Sequence, residues 1–208
     1  MLEIYITRHG ATEWNMENRL QGSLNSELTE SGICNAVLLG KRLSDIKFNV
    51  IYSSPSKRAL ETAGLIKADK AIQLKIVDDL NEISFGDWEG KTQEEIEEDF
   101  QAEYANFWNK PHQYNHLGHN AEDLKTFKQR VDQAMNQIIE ENKNGRILIV
   151  THGVVIRAIM SLFWDITTEK MWDPPMILGT SLTIVNYDEK QFKKVMLGDT
   201  SHMESLGD

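Results

Sequence analysis

Ile147-Leu148-Ile149-Val150 is an unbroken apolar run, mostly β-branched, that leads directly into Thr151-His152-Gly153. A strand with no polar side has no face to show to water, so the run belongs inside a parallel sheet covered by helices on both faces. A second strand is read at the start of the chain, where Leu2, Ile4 and Ile6 alternate with Glu3, Tyr5 and Thr7. That strand ends at His9, between Arg8 and Gly10, so both strands deliver a histidine followed by glycine at their carboxyl ends. An imidazole beside a guanidinium and a bare backbone at a strand end suits an anionic ligand.

The intervening chain alternates helices with strands. Thr29 is read as the cap of a helix with Ile33, Ala36, Val37, Gly40 and Leu43 on one face, ending near Asp45. Phe48 to Tyr52 reads as a short strand. Ser54 and Pro55 then read as cap and first residue of a helix that carries Arg58, Thr62 and Leu65 on one face. Arg58 near that helix start would add a guanidinium to free backbone N–H groups. Ile72 to Val77 is another strand, followed by the irregular stretch Asp78 to Gly90. Within it Glu82 lies between Leu80 and Ile83, where burial would raise its pKa toward that of a general acid, and Asp78, Asp79 and Glu89 read as solvated.

Gln93 to Trp108 reads as an acidic helix with a packing stripe of Ile96, Phe100, Tyr104 and Phe107. His112, His116 and His119 follow in a Pro- and Gly-broken segment that reads as a mobile loop over a pocket. No metal site is expected there, because nothing aligns the three histidines and no cysteine or carboxylate joins them at ligand spacing. Asn120 is read as the cap of a long helix striped by Leu124, Phe127, Val131, Met135 and Ile138, with Glu122 at its start facing either the dipole or the pocket. After His152 come a helix, Val154 to Trp164, and a hairpin pairing Leu182 to Tyr187 with Phe192 to Leu197. The polar end, Gly198 to Asp208, is expected to be partly disordered.

This alternation gives an α/β fold, a three-layer α/β/α sandwich with a mostly parallel central sheet. The 208 residues suffice for one buried core and read as a single domain, 1–208, with 85–120 as a substrate-covering insertion. A net charge of −10 argues against a nucleic-acid binder, while a few arginines can still make a local anion pocket. The one cysteine, Cys34, reads as a buried small hydrophobe. With no leader and no spanning apolar run in view, the expected location is cytoplasmic, with no membrane partner.

Thr7-Arg8-His9-Gly10, the Ser53-Ser54-Pro55 turn with Arg58, the Glu82 loop ending Trp88-Glu89-Gly90, and Thr151-His152-Gly153 together resemble the histidine phosphatase superfamily. That superfamily includes cofactor-dependent phosphoglycerate mutases, and the resemblance runs from about Ile4 to Leu197. It implies a phosphoglycerate mutase-like fold and a phosphohistidine mechanism. His9 would attack phosphorus, Arg8, Arg58 and His152 would hold the phosphoryl group, and Glu82 would serve as acid and then base. Asn15, Arg19 and Gly22 match further phosphate-site positions. In the branch that includes acid phosphatases and phytases an aspartate follows the second histidine; here Gly153 and Val154 follow it, which leaves the acid role to Glu82.

The implied activity is hydrolysis of small-molecule phosphate monoesters, with no metal and no cofactor. The stretch Asn18-Arg19-Leu20-Gln21-Gly22 looks like the phosphatase branch, and a phosphoglycerate mutase is the alternative. An inactive module that binds a phosphorylated ligand is the alternative of another class; the intact His9 and Glu82 speak against it. The expected partner is a small phosphate ester, and a homodimer stays open.

Overall fold

The computed structural model describes residues 1–173 and 175–203. β1 (Leu2–Arg8) is followed by the single turn α1 (Glu13–Met16) and by α2 (Glu30–Arg42). Next come β2 (Val50–Ser53), α3 (Lys57–Lys67) and β3 (Gln73–Ile76). Then α4 (Gln93–Asn109) and α5 (Leu124–Glu141) precede β4 (Gly145–Thr151), and α6 (Gly153–Phe163) leads to the hairpin of β5 (Leu182–Asp188) and β6 (Gln191–Asp199).

The strands form one sheet in the order β3-β2-β4-β1-β5-β6. β4 lies parallel between β1 and β2, β3 extends that parallel block, and β5 and β6 complete the sheet antiparallel. The expected three-layer, mostly parallel architecture is therefore present. Strand periodicity divides the core between the two faces. Ile4, Ile6, Ile147 and Ile149 pack with Phe127, Val131, Val155 and Ile159 on the face covered by α5 and α6. Tyr5, Leu148 and Val150 point the other way and meet Leu39, Ala59, Ala63 and Ile66 of α2 and α3. Placing β4 directly beside β1 brings the two histidine-bearing strand ends together.

Ser56, not Ser54, caps α3, its hydroxyl accepting from the Ala59 N–H, and Pro55 lies outside the helix. The Ser54 hydroxyl instead sits 2.7 Å from His152. Arg58 and Thr62 share the buried face of α3 with Ala59, Ala63 and Ile66, while Leu65 is only half-buried. Asp123 rather than Asn120 caps α5, because Asn120 is left-handed (φ 56°) and closes the preceding turn. Gly32, Ala36 and Leu39 form the buried stripe of α2, which leaves Ile33 exposed and Cys34 half-buried.

Of the three histidines expected in a loop over the pocket, His112 is exposed and His116 half-buried, whereas His119 anchors the segment in the core. His119 is fully buried, stacks on Trp88 with ring centroids 3.8 Å apart, and lies 2.7 Å from the Tyr114 hydroxyl. At the end of the chain, Gly198 and Asp199 belong to β6, and His202 is buried with Nε2 3.2 Å from the Thr180 hydroxyl. The rest of the segment expected to be disordered, residues 204–208, lies outside the described residues. Among the described residues no helix is long and apolar enough to cross a membrane.

Candidate active site

The carboxyl ends of β1 and β4 open into a cavity of about 370 Å³ whose wall includes Arg8, His9, Asn15, Arg58, Glu82 and Gly153. The His9 backbone extends the β1–β4 ladder by one bond, its N–H donating to the Thr151 carbonyl at 2.9 Å. Gly10 then turns the chain so tightly against α2 that a Cβ there would sit 2.7 Å from the Gly32 carbonyl oxygen.

The partners of His9 dictate its tautomer. Nδ1 lies 2.7 Å from the Gly10 carbonyl oxygen, an acceptor only, so Nδ1 carries the proton. Nε2 accepts from the Arg58 Nε–H at 3.3 Å and so presents a lone pair. Burial holds the His9 pKa well below the ordinary histidine value, and the nearby Arg8 and Arg58 charges push the same way. The ring is therefore neutral, the state a nitrogen nucleophile needs.

Arg58 is 1% exposed and every nitrogen of its guanidinium is engaged. Nη1 donates to the Leu24 carbonyl at 2.6 Å, Nη2 donates to the Gly22 carbonyl at 2.8 Å, and Nη2 also donates to His152 Nδ1 at 3.2 Å. Burial lowers its pKa to about 10, which still leaves it a cation at neutral pH. Gly22 must be glycine: it sits at φ +54°, and a Cβ would lie 2.1 Å from Glu89 Oε1. Glu89, read from the sequence as solvated, instead accepts from the Ser23 and Phe85 backbone N–H groups at 2.9 and 3.0 Å. It thereby ties the Gly22–Ser23 loop, whose Gly22 carbonyl accepts from Arg58, to the Glu82 loop.

Arg8 anchors Nη1 on the Ile177 carbonyl at 2.8 Å, and its buried Nε has no hydrogen-bond partner among the described residues, as a group awaiting an acceptor would be. Glu82 accepts from the Ile83 N–H at 3.0 Å and from the Val154 N–H, in the first turn of α6, at 3.1 Å. Burial nevertheless raises its pKa above the carboxylate norm, the backbone bonds and the two arginines only moderating the effect.

His152 is wholly buried behind these groups, its ring centroid 5.2 Å from that of His9. With Nδ1 accepting from Arg58, its Nε2–H donates to Ser54 at 2.7 Å, and the Ser54 hydroxyl lies 3.3 Å from Asn81 Oδ1 beside Glu82. Asn15 reaches the cavity while its amide oxygen accepts from the Thr12 N–H in a capping box. Arg19 stands in the cavity wall, but its guanidinium is occupied by Glu17, Glu95 and the Gly90 carbonyl at 2.7 to 2.8 Å.

Three features were not singled out in the sequence. Gln21, 7% exposed, lines the cavity and donates Nε2 to Thr12 at 2.7 Å. Arg157 lines it too, over the Trp172 ring and with Nη1 on the Trp172 carbonyl at 3.0 Å. Phe85, Trp172, Met176 and Ile177 make part of the wall apolar, joining Trp108, whose aromatic ring the sequence does offer as pocket lining. The i, i+4 position of Arg157 after Gly153 is a signal the sequence did carry, since it puts the arginine one helical turn above the site.

The profile of the family described as "Histidine phosphatase superfamily (branch 1)" matches residues 4–200. Among solved structures the fold is similar to YhfR of Bacillus stearothermophilus, with a TM-score of 0.94 and 40% identity, covering 98% of this chain and 100% of that one. The sequence is 32% identical to the metal-independent phosphoserine phosphatase of Arabidopsis thaliana, over 99% of this chain and 84% of that protein. It is 33% identical to phosphoglycerate mutase-like protein 4 of the same plant, over 99% of this chain and 88% of that protein.

Proposed function

The chain belongs to branch 1 of the histidine phosphatase superfamily, and from that membership we propose that it hydrolyses small phosphate monoesters without a metal, through a phosphoryl group carried on His9. The observation that carries this reading is the fixed tautomer of His9, whose Nδ1 proton is spent on the Gly10 carbonyl while Nε2 faces the cavity shared with Glu82.

An incoming phosphoryl oxygen competes with Nε2 for the Arg58 Nε–H, which uncovers the lone pair as the substrate docks. Arg8 and Arg58 then neutralise the two negative charges of the phosphate, the role a divalent cation plays in other phosphoryl-transfer sites. Nε2 bonds to phosphorus as the ester P–O bond breaks, and the Glu82 proton passes to the departing oxygen. The Glu82 carboxylate next takes a proton from water, whose oxygen bonds to phosphorus as the P–N bond breaks, releasing phosphate and restoring neutral His9. His152 keeps Arg58 aligned through the bond to Nη2.

The test is release of inorganic phosphate from a panel of phosphate monoesters with a strong chelator present. Wild-type turnover is expected to survive the chelator, and His9→Ala is expected to lose about 10⁴-fold or more in kcat while still folding. Turnover abolished by the chelator, or preserved in His9→Ala, would contradict the reading. With 3-phosphoglycerate, free phosphate marks hydrolysis and the 2-isomer marks a mutase.

A further inference from the structure

Glu82 sits in an irregular loop, yet acid catalysis demands placement within a few tenths of an ångström of the departing oxygen. The Ile83 and Val154 N–H groups hold its carboxylate directly, and those bonds place it only if the loop backbone is itself held. The backbone is held by a pair of charged residues from a different element, Arg130 on α5 and Glu122 just before it.

Arg130 engages all five guanidinium N–H groups. Nη1 donates to the Asp79 and Asn81 carbonyls at 2.8 and 2.7 Å, and Nη2 to the Glu82 carbonyl at 3.0 Å. The remaining two, on Nε and Nη2, form a bidentate pair with Glu122 at 2.7 and 2.8 Å. Glu122 takes hold of the other side of Glu82: its Oε2 accepts from the Ser84 N–H at 3.2 Å, and its own N–H donates to the Ser84 carbonyl at 2.9 Å. The Leu80 carbonyl, which Arg130 does not reach, accepts from the Thr151 hydroxyl at 2.7 Å. Every backbone carbonyl from Asp79 to Glu82 is therefore fixed from outside the loop. Arg130 and Glu122 are themselves mostly buried, with side chains 19% and 17% exposed.

We propose that Arg130 and Glu122 form a positioning clamp whose task in the reaction is to hold the Glu82 carboxyl at the leaving-group oxygen, neither residue touching the substrate. The proposal rests on the reading of Glu82 as the general acid. Its consequence is selective: an ester whose alcohol leaves without help needs no acid, whereas an alkyl ester does. A residue that merely stabilises the fold would affect both alike.

The test compares kcat/KM for 4-nitrophenyl phosphate and benzyl phosphate, similar in shape but far apart in leaving-group acidity, in wild type, Arg130→Gln, Glu122→Gln and Glu82→Gln. In Arg130→Gln we expect a loss of about 100-fold on benzyl phosphate and under about 5-fold on 4-nitrophenyl phosphate. Glu122→Gln should lose in the same direction but less, since it leaves the three carbonyl contacts of Arg130 in place; it carries the test should Arg130→Gln not fold. Equal losses on both substrates, or none, in the variants that fold would overturn the clamp. Should Glu82→Gln lose equally on both esters, the acid assignment itself fails and the clamp falls with it. A selective loss in Glu82→Gln alone isolates the failure to the clamp.

Discussion

His9 and Glu82 are shifted in opposite directions by the same cause. Removal from water penalises a charged imidazole and a charged carboxylate alike, so the histidine is held neutral and the carboxyl is held protonated to a higher pH than usual. The two arginines push the His9 pKa further down but pull against burial at Glu82. The active combination is neutral His9 with protonated Glu82. It is lost at low pH when His9 gains a proton, and at high pH when Glu82 gives one up. We therefore expect kcat/KM for an alkyl phosphate to fall as pH rises through the raised Glu82 pKa, and Glu82→Gln to flatten that limb. A limb unchanged in Glu82→Gln would assign it to another group. His9, Arg8 and His152 were legible in the sequence because a strand end fixes where its next residue points. Glu82 was legible because its apolar neighbours announce burial. Arg130 was not, since an arginine in the middle of an amphipathic helix reads as a solvated charge until the fold sets it against a loop 48 residues earlier.

At the scale of elements, the phosphate site is assembled from loops cross-tied by side chains. The turn at Gly22 gives Arg58 its backbone acceptor and packs on Glu89, which in turn holds the start of the 84–88 segment. Gly22→Ala forces a side chain into the left-handed region at a cost of about 1–2 kcal/mol and against the Glu89 carboxylate. We expect a lower Tm together with a rise in KM as Arg58 loses its seat, checked by thermal unfolding and steady-state kinetics on one preparation. An unchanged KM would show that Arg58 is held without Gly22. The α3 cap illustrates what the sequence leaves open at this scale. Ser54 and Ser56 both suit an N-cap by residue type, and Ser54 is drawn away only because His152, almost a hundred residues later, arrives beside it. Likewise His119 is polar enough to read as loop, but Trp88 offers it a stacking face inside the core.

For the whole molecule, a net charge of −10 coexists with a cavity walled by several arginines, so anion binding here is a property of local placement and not of overall charge. The layered α/β architecture was readable from two apolar runs, because a run such as Ile147 to Val150 has no alternative to double-sided burial. The strand order was not, as no residue in β1 or β4 specifies the other as its neighbour. That order is what places the imidazoles 5.2 Å apart in one site. The most direct test is to quench the enzyme during turnover of a ³²P-labelled phosphate monoester and determine which residue carries the label. We predict an alkali-stable, acid-labile phosphoramidate on His9 that is missing from His9→Ala; label on a carboxylate or hydroxyl, or on His152 in the wild type, would contradict it.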